Sequence, residues 1–170
     1  MADFNAYYPK LKAHEGGYAS AAYAAKIGDK GGETYLGIAR NYNPDWAGWK
    51  LVDEYKKSKG EPKWNAKIPD PRIDALAKEH SKKAYWDKIK MGQVKNQSLA
   101  EYIMDFGFNS GLGTPVNAVN KILGLPATKG VMTQSTIDKI NSVNNEKLFK
   151  DLQDYRVNFV SNIKTLKPDV

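Results

Sequence analysis

The stretch HEGGYASAAYAAKIGDKGGETYLGI, residues 14–38, decides how the rest of the chain is read. An isolated glutamate, Glu15, precedes two glycines, and a second glycine-rich segment follows that carries Asp29 and Thr34. In KIGDKGGETYLGI four glycines surround β-prone pieces such as TYLGI, a pattern that predicts a small β-hairpin set among helices. Glycines there permit tight turns with positive φ, which is sufficient reason for their presence. The Gly-Lys-Ser/Thr ending of a P-loop is missing, so the segment is not read as a phosphate cradle.

Working outward, the apolar spacing predicts a first helix from Asp3 to Glu15 with Phe4, Tyr7, Tyr8 and Leu11 inward, stopped by Gly16-Gly17. Glu15 then sits at the negative end of the helix dipole, and partial burial beside Tyr18 or Tyr23 further disfavours its charged form. A carboxyl held protonated near neutral pH suits a proton donor. A second carboxylate on the apposed hairpin would position water or stabilise an oxocarbenium-like transition state. Asp29 is the candidate, with Thr34 beside it. The plainer alternative makes Glu15 a solvated helix end and Asp29 a turn residue.

Beyond this segment the period is helical. Asp45 is read as the cap of a helix bearing Trp46, Trp49, Val52 and Tyr55, and GEPKWNAKIPDP as a long surface loop. Asp70-Pro71 opens a helix with Ile73, Leu76, Ala77 and His80. SLAEYIMDFGFNSG predicts a central helix ending near Gly111. Thr114-Pro115 opens another, Thr133 caps a shorter one, and Asn145 caps a last helix whose stripe runs Leu148, Leu152, Tyr155, Phe159, Ile163. The 170 residues fit one domain.

A net charge of +7 favours an anionic partner such as nucleic acid, an acidic membrane surface or a cell-wall polymer. The absence of cysteine excludes disulfides and thiolate metal sites, and with two histidines a histidine-based zinc site is not expected; no metal or cofactor is. No run of 18 apolar residues and no export signal is seen, which leads us to expect a protein made in the cytoplasm and not inserted in membranes.

EGGY followed by DKGGETYLGIAR resembles the signature of glycoside hydrolase family 108 lysozymes, N-acetylmuramidases found in phage endolysins and secretion-associated bacterial proteins. YWDKI, FGFNSG with AVNKILGL, and GVMTQSTIDKIN look like that family's C-terminal peptidoglycan-binding region. The resemblance implies a mainly α (α+β), lysozyme-like fold whose small β-hairpin forms one wall of the active-site cleft. It implies a single domain over 1–170, with a catalytic part at 1–90 and a helical peptidoglycan-binding-like part at 91–170. It also implies hydrolysis of the β-1,4 bond between N-acetylmuramic acid and N-acetylglucosamine in cell-wall lysis, by a bacteriolytic, antimicrobial enzyme.

Carried over residue by residue, the catalytic glutamate is Glu15, and Asp29 and Thr34 hold the attacking water. Tyr18, Tyr35 and Trp86 are candidates for stacking on sugar rings and Asn109 for holding an N-acetyl group, although core packing is an equal reading for each aromatic. The expected partner is peptidoglycan, met by a monomer in the periplasm after release through a pore or secretion system. No nucleic-acid motif is present. A lytic transglycosylase and a non-catalytic peptidoglycan-binding protein are the alternatives.

Overall fold

The computed structural model describes residues 1–166, with side chains to residue 162, so the side chain of Ile163 lies outside the described residues. The chain divides into two compact units, residues 5–82 and residues 1–4 with the chain from Lys83 onward. That division falls at the start of a π-helical segment, Lys82–Trp86. The architecture is mainly α with one two-stranded antiparallel hairpin.

In the first unit, α1 (Phe4–His14) is followed by α2 (Ala21–Lys26), the hairpin β1 (Thr34–Tyr35) and β2 (Ile38–Ala39), then α3 (Gly48–Lys59) and α4 (Pro71–Ser81). The hairpin pairs Thr34 with Ala39 and Tyr35 with Ile38, and Ala19 bridges to Thr34 from outside it. Its two-residue turn places Leu36 at φ 50 and Gly37 at φ 79. Positive φ at both central positions is the type I′ geometry that matches strand twist. For a leucine this is a strained conformation, and Leu36 holds it while buried in the core. That core gathers Tyr18, Tyr35, Leu36, Ile38, Trp49, Val52, Ile68, Ile73 and Ala77.

Asp70 caps α4 as predicted, its side chain accepting from Arg72 N, with Pro71 in the first turn. Asp45 does not cap α3. Trp46 instead folds over Gly48, where an added Cβ would stand 2.3 Å from the indole, and its Nε1 donates to the Leu76 carbonyl at 3.3 Å. The tertiary bond holds Trp46 outside the helix. The short α2, capped by Ser20 accepting from Tyr23 N, lies in a stretch read only as a connection. Its six residues are too few for a period to stand out.

The second unit holds a 3-10 turn (Met91–Gln93), α5 (Gln97–Ser110), α6 (Gly113–Ile122), α7 (Gln134–Ser142) and α8 (Asn145–Leu166). Ile103, Met104 and Phe106 of α5 are buried, as are Val116, Val119, Ile137, Ile140, Leu148 and Leu152. Thr133 caps α7 by accepting from Thr136 N. At α8 the cap is Asn144, whose Oδ1 accepts from Lys147 N at 3.0 Å; Asn145 turns its amide back to the Ile140 and Val143 carbonyls.

Candidate active site

Glu15 is the first residue past α1, its N–H donating to the Lys12 carbonyl at 3.2 Å. The backbone then extends, and the glycines explain how. Gly17 N donates to Asn65 Oδ1 at 2.9 Å, Tyr18 N to the Ala66 carbonyl at 2.9 Å, and Asn65 N to the Tyr18 carbonyl at 2.7 Å. A Cβ on Gly17 would lie 2.3 Å from the Asn65 carbonyl oxygen and 2.4 Å from that of Ala66. No side chain fits there. The loop at 60–70, read as a plain surface loop, is therefore a clamp on the segment after Glu15. Gly17→Ala is expected to cost about 2 kcal/mol through the backbone shift it forces, measurable as a lowered midpoint in urea unfolding.

The clamp also delivers Lys67, whose Nζ donates to the carbonyls of Glu15 at 3.3 Å and Gly16 at 3.2 Å. From the other side comes the hairpin turn: a Cβ on Gly37 would stand 3.5 Å from Glu15 Oε1 and 3.6 Å from Cδ. A Cβ there would make ordinary van der Waals contact with the carboxyl, but the positive φ of Gly37 would strain any L side chain. Glu15 Oε2 is buried and accepts no hydrogen bond from the described residues. An unpartnered buried oxygen is costlier on a carboxylate than on a carboxylic acid. Burial pushes the Glu15 carboxyl up to about 7, against the opposing pull of Lys67 and Lys12. The buried hydroxyl of Tyr8 is raised to about 12 by burial, by the charge of Glu15 and by Asp74.

Asp29 and Thr34 make their hydrogen bonds within the glycine-rich segment of the same unit. Asp29 is exposed, its Oδ1 accepting from Gly31 N at 2.8 Å, and it lines a surface pocket of about 450 Å³ with Lys30, Glu33, Arg40 and Asn41. Glu15 does not line that pocket. Thr34 Oγ1 donates to the Gly32 carbonyl at 3.1 Å. Neither makes a hydrogen bond to Glu15.

The rings expected to stack on sugars are corrected by their burial. Tyr18 and Tyr35 belong to the core, where Tyr18 OH donates to Glu33 and Glu61 and Tyr35 OH accepts from Ile68 N at 2.7 Å. Trp86, in the second unit, is buried with its ring 5.6 Å from Phe4. Their faces are taken up by packing. Asn109 is exposed in the last turn of α5 and donates to the Asp105 carbonyl at 3.2 Å.

Sequence reading missed Glu33. It is 6% exposed and receives Arg40 and Lys56, each at 2.7 Å, together with the Tyr18 hydroxyl. Burial raises its pKa, yet hydrogen bonds from Lys56, Tyr18 and Arg40 outweigh that and hold it below the ordinary range. Arg40 also forks onto Asp53 with two bonds of 2.7 Å and stacks over Trp49 at 5.0 Å. The network ties β1 to α3. A glutamate between two glycines and a threonine gives no periodic signal of such a role.

The family model for glycosyl hydrolase 108 matches residues 8–111. The chain belongs to that family. The match takes in Glu15, the hairpin and the clamp, and it ends before α6. No curated protein matches the chain. Among solved structures the chain is similar to Brucella abortus SagA, with 20% identity and a TM-score of 0.57 over 93% of this chain and 79% of that one. At that identity the likeness concerns the fold. Among the described residues of this glycosyl hydrolase, no group of three or more His, Asp or Glu side chains is placed to hold a metal ion, and no helix is long and apolar enough to cross a membrane.

Proposed function

We propose that this glycosyl hydrolase is a lysozyme that cleaves the β-1,4 bond between N-acetylmuramic acid and N-acetylglucosamine in peptidoglycan, with Glu15 as general acid. The observation that carries the reading is the Glu15 carboxyl, with Oε2 buried and unpartnered and its proton held to about pH 7. Glu15 donates that proton to the glycosidic oxygen as the bond to the anomeric carbon breaks. Water adds to that carbon and returns a proton to the site. Asp29 and Thr34 are proposed to hold this water, on the family resemblance of the segment that carries them. The net charge of +7 favours accumulation on an anionic wall.

A second reading is favoured by one feature. Among the described residues, the charges that shift Glu15 are the cations Lys67 and Lys12, with no carboxylate among them. A lytic transglycosylase needs a single glutamate as acid and then base, with the muramic acid 6-hydroxyl in place of water. Digestion of purified sacculi separates the readings by mass spectrometry of the products. Reducing muramic acid ends are expected. Products with 1,6-anhydro ends would assign the transglycosylase, and binding without soluble products would overturn the enzyme reading.

A further inference from the structure

We propose that Trp64 and Tyr23 form a stacking platform for an N-acetylhexosamine ring of the glycan strand. The inference rests on the reading that this strand passes Glu15. Trp64 is 64% exposed and Tyr23 is 36% exposed, and their rings lie 5.9 Å apart with a tilt of 48°. A single exposed aromatic is ordinary on a protein surface. A pair whose backbones are hydrogen-bonded in place and whose rings lie against each other is different, because part of the ordering cost is met before a ligand arrives.

Three features fix Trp64. Ala66 N donates to the Lys63 carbonyl at 3.0 Å, closing a four-residue turn with Trp64 at its first central position. Asn65, at the second, has φ 62, the arrangement of a type II turn, and asparagine is among the residues that adopt it readily. The same Asn65 is hydrogen-bonded to Gly17 and Tyr18 through the clamp on the segment after Glu15. Tyr23 is fixed on α2, whose Ser20 cap accepts from Tyr23 N at 3.0 Å.

Gly17 is two residues from Glu15, at most roughly 7 Å of extended chain. The turn that carries Trp64 is hydrogen-bonded to the segment two and three residues after Glu15, and for the platform to be used a strand held at Glu15 must run along that segment to the two rings. Pyranose rings of β-linked amino sugars present a face of C–H groups with polar groups at the edge. Tryptophan and tyrosine match it with an apolar face and a polar rim. The platform would select a chain of sugar rings over a single one.

The test is sedimentation binding to insoluble sacculi in the Glu15→Gln background, where no cleavage disturbs the equilibrium. Trp64→Ala is expected to raise Kd about fivefold to tenfold, and Trp64→Tyr to restore most of the affinity. The loss should persist in high salt, where lysine-driven adhesion is screened. A Kd for Trp64→Ala within about twofold of the parent, with an unchanged melting temperature, overturns the platform. So does a loss that tyrosine does not rescue. Wild-type clearing by Glu15→Gln would instead overturn the acid assignment, and the same Trp64 comparison, read in the cold within minutes of mixing and before material dissolves, then judges the platform separately.

Discussion

Glu15→Gln is expected to lower the rate of sacculus digestion about a hundredfold to ten-thousandfold, the range contributed by a positioned general acid. The amide keeps the size and the hydrogen-bonding shape of the acid but has no proton to give. Binding to sacculi should persist, so the loss appears in the rate and not in affinity. Equal clearing by the two proteins would remove Glu15 from the mechanism.

The same carboxyl has a second signature that does not depend on activity. Its pKa is raised from 4.5 to about 7, so between those values the folded state holds a proton that the unfolded chain has lost. Stability falls with rising pH wherever the folded state binds more protons. The wild type should therefore lose stability from about pH 4.5 to about pH 7, relative to Glu15→Gln. The amide has nothing to ionise. Groups that do not feel Glu15 cancel in the difference, and Tyr8, which does, is raised to about 12, far above this window. Parallel curves of melting temperature against pH would show that the Glu15 carboxyl is not raised. Activity should have its basic limb in the same region, since deprotonating the acid above about pH 7 disarms it.

What the sequence shows of this site depends on how local the cause is. The caps at Asp70 and Thr133 are set by residues a few positions apart, and each is legible; the hairpin was expected too, but its turn falls at Leu36-Gly37, inside the TYLGI piece read as β-prone. The prediction for Glu15 rested on a helix end and a nearby aromatic. The desolvation that raises its pKa belongs to a setting that includes the hairpin turn at Gly37 and the clamp of residues 65–67, brought together by tertiary pairing. Asp45 shows the opposite case. Its cap was locally plausible, but the Trp46 bond to Leu76, thirty positions away, took precedence. Burial was the least legible property. Tyr18, Tyr35 and Trp86 have the same chemistry as Tyr23 and Trp64, and only the packed structure separates the covered rings from the open ones.

Glu33→Ala is expected to destabilise the first unit by about 3 kcal/mol. Removing one partner from a buried ion cluster leaves the others to find water or remain unpaired. Here the charges left behind are Lys56 and Arg40, whose side chains are 30% and 34% exposed, so solvent can reach both and the cost sits at the low end of the range. The Tyr18 hydroxyl keeps only its bond to Glu61, and it is the residue hydrogen-bonded to the clamp behind Glu15. The loss therefore spreads from the hairpin to the catalytic segment. Urea unfolding measures the stability term, and digestion of sacculi measures the second effect. The Glu33 carboxylate is held below its ordinary pKa, so its contribution is present above the unfolded value and is lost as pH falls through the folded one. Glu33→Gln separates charge from shape: it keeps an acceptor for Tyr18 but surrenders the ion pairs. A variant as stable as the wild type would mean that hydrogen bonding alone, without the charge, ties β1 to α3.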